Sequence, residues 1–96
     1  MNNPYKGFQV FISKKSQKFF TTITLEQKII LIDALDMLTT QAYLMEVKKL
    51  QGYKKFYRQR VGDYRIIFEP DFKQKNIYVY IIAHRKDVYE KMSRLK

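Results

Sequence analysis

The chain contains no cysteine and only one histidine, with three glycines and two prolines in 96 residues. Without cysteine, disulfides and thiolate metal ligands are excluded, and a reducing compartment is compatible with the composition. One histidine with scattered carboxylates supplies no recognisable ligand set, so neither a metal nor another cofactor is expected. No apolar run approaches the ~18 residues needed to span a bilayer. The N-terminal Met1-Asn2-Asn3-Pro4-Tyr5-Lys6 lacks a signal-peptide core. The expected setting is cytoplasmic, with no membrane partner. Also missing are a Gly-rich phosphate loop, a Ser/His/Asp triad and a pair of glycosidase carboxylates.

Negative charge is scarce as well. Nine acidic residues face 19 Lys and Arg, for a formal net charge of +10. The imbalance is local: residues 1–47 carry five Lys and four acids, whereas residues 48–96 carry fourteen basic residues and five acids. All five arginines, Arg58, Arg60, Arg65, Arg85 and Arg94, fall in the second half. Most of the lysines read as ordinary solvated surface. The arginines are different, because a planar guanidinium fork matches phosphate in a way that a lysine point charge does not. Nucleic acid is the leading partner class. An acidic protein partner fits the charge alone equally well.

The arginines centre on one stretch, Lys54-Lys55-Phe56-Tyr57-Arg58-Gln59-Arg60-Val61-Gly62-Asp63-Tyr64-Arg65-Ile66-Ile67-Phe68. Two runs rich in β-branched and aromatic residues meet at Gly62-Asp63, which predicts an antiparallel hairpin. Strand alternation places Phe56, Arg58 and Arg60 on one face and Tyr57, Gln59 and Val61 on the other. On the return strand Arg65 and Ile67 oppose Tyr64, Ile66 and Phe68. Such a hairpin holds several guanidiniums on a rigid backbone.

At this length one domain, residues 1–96, is expected, burying about 60–65% of its unfolded surface. Phe8 to Ile12 reads as a first strand, with Phe8, Val10 and Ile12 on one face. Ser13 is placed to cap a short helix reaching about Thr21. Thr24-Leu25-Glu26-Gln27 is a capping-box signature. Ile29, Ile30, Leu31, Ile32, Leu35 and Leu38 then form a broad apolar stripe, with Asp33 and Asp36 on the wet side, as in a core helix packed on a sheet. Thr39 to Glu46 reads as a loop or a helical extension, and Val47 to Gly52 as a lead into the hairpin. Glu69 to Asn76, polar and containing Pro70, reads as a loop. Ile77 to Ala83 is apolar on both faces, as a central strand would be. Asp87-Val88-Tyr89-Glu90 has N-cap form, opening a terminal helix with Val88, Met92 and Leu95 buried. The expected fold is α+β: an antiparallel sheet of about four strands, with two N-terminal helices packed on it and a short C-terminal helix.

Candidate chemistry gathers near the end of the central strand. His84 is the one side chain whose ordinary pKa suits proton transfer near neutrality, although a lone histidine at a strand end is more often structural. Tyr89 lies four residues beyond Arg85, off the apolar stripe of the terminal helix. Arginines, lysines, a phenol and one imidazole suit a reaction in which RNA supplies its own nucleophile. The 2′-hydroxyl attacks the adjacent phosphodiester while the protein aligns it, stabilises the phosphate oxygens and assists two proton movements. Arginine is a poor base, so Tyr89, His84, Lys54 and Lys55 all stand as acid or base candidates.

Lys48-Lys49-Leu50-Gln51-Gly52, then Tyr57 to Phe68, then His84-Arg85-Lys86-Asp87-Val88-Tyr89, resemble the RelE-type toxins of bacterial toxin–antitoxin modules. The order of elements resembles that family's along essentially the whole chain. The resemblance implies a RelE-like fold and a metal-independent endoribonuclease that cuts mRNA in the ribosomal A site, with a RelB-like antitoxin covering its basic surface. It also implies that Arg65 contacts the scissile phosphate, Arg85 stabilises the leaving group and Tyr89 orients or deprotonates the 2′-hydroxyl. Arg58 and Arg60, with Lys54 and Lys55, would bind RNA. Two departures stand out: some relatives carry Lys where Arg58 and Arg60 stand, and Gln59 occupies a usually apolar position. ParE-type relatives, which share the fold but poison DNA gyrase by binding, define an alternative; a catalytically silent RNA- or ribosome-binding protein defines another.

Overall fold

A computed structural model describes residues 3–95. In chain order the elements are β1 (Gln9–Ile12), α1 (Lys14–Phe19), α2 (Leu25–Thr40), β2 (Glu46–Lys49), β3 (Tyr57–Val61), β4 (Tyr64–Asp71), β5 (Asn76–His84) and α3 (Val88–Met92). The fold is α+β as the sequence predicts. The sheet, however, has five strands in the order β1-β5-β4-β3-β2, and β1 runs parallel to β5. Strand direction leaves no trace in a four-residue apolar pattern. The extra strand, β2, replaces part of the expected lead-in to the hairpin. It is short, charged and at the edge, as edge strands that resist stray pairing tend to be; those properties also hid it from a periodicity reading.

Local signals in the sequence match the structure at the starts of α1 and α2. Ser13 caps α1, its Oγ accepting from the Ser16 amide at 3.1 Å. Thr24 and Gln27 form the full capping box of α2, with both reciprocal bonds at 3.2 Å. Gly62 opens the two-residue turn with a φ of +58°, where an L side chain would be strained. β5 is, as expected, an interior strand, flanked by β1 and β4. Asp87 departs from expectation. Its backbone is helical and its side chain makes no capping bond, so α3 is held by the burial of Val88 and Met92 rather than by a cap. The Glu69–Asn76 segment, expected as a loop, is strand at both ends, since β4 continues to Asp71 and β5 begins at Asn76, and residues 72–75 form the turn. Pro70 lies inside β4 opposite Ile77 of β5, but past the end of β3, which reaches only Phe68, so on that side no strand is left for a missing N–H to pair with.

The sheet is covered on both faces. On one, Leu31, Ala34, Leu35 and Leu38 of α2 pack with Val61, Ile66, Phe68, Ile77, Val79 and Ile82. On the other, Val88 and Met92 of α3 pack with Phe56, Ile67, Ile81 and Ala83. The expected stripe of α2 is therefore only partly inside: Ile29, Ile30 and Ile32 stay exposed, at 51%, 57% and 44%. A 16-residue helix on one sheet face can bury about one side. The run of four consecutive apolar residues from Ile29 to Ile32 goes all the way round it. No helix among the described residues is long and apolar enough to cross a membrane.

Gln59, one of the departures noted above, is fully buried and ties the sheet to α2, its Nε2 donating to Ala34 O at 2.9 Å. Its Oε1 is buried with no donor against it among the described residues. That acceptor was desolvated without return, which offsets much of what the bond contributes. We expect Gln59→Met, similar in volume, to stay within about 1 kcal/mol of the parent. Gln59→Ala, which opens a cavity, should cost about 2 kcal/mol or more; urea unfolding midpoints of the two variants check this.

Beneath α3, Tyr80 packs edge-on against Phe56 and donates its phenol proton to Glu69 Oε1 at 2.7 Å. Burial, first, and the Glu69 carboxylate push the Tyr80 phenol up to about 12 from its usual 10.0. Because the folded value is the higher, this stabilisation is complete below pH ~10 and drains away as pH rises towards ~12. The stability difference between the parent and Tyr80→Phe should shrink over that interval and stay constant below it, as followed by thermal unfolding at stepped pH.

Candidate nucleic-acid interface

The hairpin register decides which basic groups meet. In β3 and β4 Arg60 pairs directly with Arg65, and Arg58 with Ile67. Residues two apart on a strand share a face about 6.6–6.8 Å apart, so Arg58, Arg60 and Arg65 rise from one side of the sheet. Two arginines directly opposite one another cost about 0.2–1 kcal/mol relative to neutral residues. Among the described residues, only Glu46, 3.5 Å from Arg60 on the neighbouring edge strand, offsets that repulsion. Arg85 joins from beyond β5: its amide donates to Asp63 O at 2.7 Å, and its Nε lies 3.8 Å from Asp63 Oδ1.

Arg65 is the centre of the group. Burial, and then the fields of Arg60, Arg58 and Arg85, lower its pKa from the ordinary arginine value. The guanidinium nevertheless remains charged at any pH the fold would survive. Its Nη1 donates to Gly62 O and Tyr64 O, each at 2.8 Å. Among the described residues its Nε and Nη2 make no hydrogen bond within the protein and are available to an anion.

Tyr89 comes from the first turn of α3. Its phenol oxygen accepts a hydrogen bond from Arg58 Nη1 at 2.9 Å, and the residue is 59% exposed. With its oxygen held by Arg58, the phenol can still donate its own proton outward. Four of the five arginines and one phenol therefore share an exposed patch around the hairpin tip.

Three expected site residues sit differently. His84 pairs with Tyr64 in the ladder and meets its ring edge-on at 6.0 Å, on the sheet face opposite Arg65. Its Nδ1 accepts from the Lys86 amide at 3.2 Å. Strand alternation separates it from the arginines, since Ala83, its neighbour, is the residue opposite Arg65. Lys55 lies 3.7 Å from Glu69 and 5.9 Å from the centre of the Phe56 ring, beyond Arg58 on the arginine face. Lys54 is exposed on the loop entering β3. One residue was missed: Lys48, exposed on β2 and directly opposite Arg58 in the ladder. Lys48 stands in the Lys48–Gly52 block of the family resemblance, but its spacing with Glu46 about an inward Val47 pointed to this face only once β2 was known to be a strand.

Residues 12–89 match the family model described as ParE toxin of type II toxin–antitoxin system, parDE. A curated relative, Toxin RelE3 of Methanocaldococcus jannaschii, is 39% identical over 46 residues, which are 48% of this chain and 50% of that protein. The match thus spans half of the relative's length. Among solved structures, the archaeal RelE–RelB complex from Pyrococcus horikoshii aligns with a TM-score of 0.70 at 26% identity, covering 81% of this chain and 94% of that one. The RelB–RelE antitoxin–toxin complex from Methanococcus jannaschii aligns with a TM-score of 0.62 at 25% identity, over 82% and 94%. With the family model covering most of the chain and the fold shared with RelE proteins, this chain belongs to the ParE/RelE toxin family of type II toxin–antitoxin systems.

Proposed function

We propose that this toxin is a ribosome-dependent mRNA endonuclease, acting in the cytoplasm and held inactive by a RelB-like antitoxin. The observation that carries the reading is the gathering of Arg58, Arg60, Arg65 and Arg85 on one exposed face, with the Tyr89 phenol against Arg58. A backbone phosphate fits among these groups. Arg65 holds the non-bridging oxygens as negative charge builds on them, and the pre-placed guanidiniums need no reorganisation at that moment. The 2′-oxygen then bonds to phosphorus as the bond to the 5′-oxygen breaks, leaving a 2′,3′-cyclic phosphate and a 5′-oxygen that takes a proton from water to become a free 5′-hydroxyl. Tyr89 orients the 2′-hydroxyl and takes part in removing its proton, and Arg85 stabilises the 5′-oxygen as it leaves. Arg58 and Arg60, with Lys54 and Lys55, hold flanking phosphates. His84, on the far face of the sheet, has no part in the step. The related solved structures are toxin–antitoxin complexes, which supports an antitoxin partner here, and an acidic one would neutralise the same arginines.

A second reading draws on the family description itself, which is that of ParE. On that reading the arginine face binds DNA gyrase and cuts nothing.

Brief induction followed by mapping of mRNA 5′ ends separates the two. The nuclease reading expects new ends in translated messages, reduced about 10²-fold or more by Arg65→Ala and by Tyr89→Phe with the fold retained. Intact mRNA together with a DNA-damage response would replace it with the gyrase reading. Ribosome binding should also weaken steeply between low and high salt, because counterions leave each neutralised phosphate; affinity flat across that range would contradict the electrostatic account.

A further inference from the structure

A second basic site lies on the other flank of α3. A cleft of about 420 Å³ opens between α1 and α3, lined by Lys15, Ser16 and Lys18, by Tyr80, Ile81 and Ile82 of β5, and by Lys91, Arg94 and Leu95. Among the described residues, four cations and no carboxylate line it. Each wall supplies a pair three residues apart, hence on one helical face, so both pairs repel internally and also across the cleft.

Folding alone does not account for this arrangement. Lys14 and Lys15 occupy the first turn of α1, which carries no acid, and positive charge at a helix N-terminus opposes the helix dipole. Lys15 and Lys18 have no ion pair among the described residues. Arg94 reaches Glu90 at 3.7 Å, but both groups are well exposed, and such pairs contribute little. Lys91 sits 5.3 Å from the centre of the Phe19 ring at the rim.

The walls are fixed. Ser13 Oγ lies 3.0 Å from Tyr80 O and from Ser16 Oγ, tying the start of α1 to β5, while the buried Val88 and Met92 pin α3 to the sheet. The volume falls in the range of small-ligand sites, about 300–1,000 Å³, and is far more than a lone phosphate fills. Its lining is both cationic and apolar, with Ile81 on the α3 face of the sheet and Leu95 among the four cations. A nucleotide joins those two properties, a phosphate for the cations and a flat base for the apolar floor.

We propose that the α1–α3 cleft is a second nucleotide-binding subsite, which takes one unit of the same single-stranded RNA whose scissile phosphate lies at the arginine face. The inference rests on the reading that the ligand is RNA. The two basic sites are separated by α3, with Tyr89 on one flank and Lys91 and Arg94 on the other. A helix is only about 10 Å across with its side chains, so a strand crossing it engages both.

The test is binding, not cleavage. Full-length protein carrying Arg65→Ala, which leaves the probe intact, is titrated with a six-nucleotide single-stranded RNA, and isoleucine methyl resonances are followed. The Ile81 methyls, on the α3 face of the sheet, should shift. Adding Lys18→Ala and Arg94→Ala, one exposed residue from each wall, should abolish those shifts, weaken binding at least tenfold and lower the salt slope by about 2; Lys15→Gln with Lys91→Gln should act in the same direction. Unchanged affinity and slope in both double variants would overturn the proposal. It is equally overturned if inorganic phosphate alone reproduces the shifts at the same affinity, or if a hexaglutamate peptide occupies the cleft more tightly than RNA, which would assign it to an acidic protein segment. RNA binding that depends on the cleft, in a protein that leaves mRNA intact in cells, supports the subsite and removes the nuclease. Cleavage that continues while the cleft variants bind normally removes the subsite alone.

Discussion

Everything at the arginine face depends on the register of one hairpin. The turn at Gly62-Asp63 aligns Val61 with Tyr64, and from there the ladder sets Arg60 against Arg65 and Arg58 against Ile67. A one-residue slip would turn every side chain to the opposite face. The arginines would then be driven towards the apolar layer under α2. That register is enforced from the other side of the sheet: Val61, Ile66 and Phe68 lie in the core, and Gln59 bonds to α2 among them. The core therefore fixes the charge pattern, and Arg60 and Arg65 stay paired despite their repulsion because the apolar residues beside them outweigh it.

The second face shows the same economy. Phe56, Ile67, Ile81 and Ala83 give α3 a small apolar seat, and Val88 and Met92 fill it. With only five residues and no side-chain cap, α3 would not persist alone in water. Once seated, it presents Tyr89 to Arg58 on one flank and Lys91 with Arg94 to the α1 cleft on the other. A buried valine and methionine thus aim a phenol. Asp63 adds a second anchor by receiving the Arg85 amide through its carbonyl and pairing with the guanidinium through its carboxylate, so the end of β5 and the tip of the hairpin hold each other.

Charge on this chain is arranged rather than merely abundant. Glu46 and Glu69 each meet a basic side chain, Arg60 and Lys55, at the edges of the arginine face, and Glu69 is further committed to Tyr80. The centre is left to Arg58, Arg65 and Tyr89. A surface with acids at its margins and cations in its middle concentrates positive potential where one phosphate group would sit.

The sequence determined what depends on neighbours along the chain. The capping box at Thr24 and Gln27, the serine cap of α1, the glycine turn and the alternation that puts Arg58 and Arg60 opposite Gln59 all follow from residues two to four positions apart. So does the burial of Val88 and Met92. Tertiary structure decided what depends on partners distant in the chain. Parallel pairing of β1 with β5, the existence of β2, and hence the place of Lys48, could not be read because short strands carry no record of their neighbours. Nor could the sequence say that Ile29, Ile30 and Ile32 would face outward, since an apolar run fits any side of a helix until the sheet selects one. His84 and Arg85, adjacent in the chain, ended on different sides of the molecule. A strand reverses its side-chain direction at every residue, and only the ladder to β4 fixed which of the two faces received the imidazole.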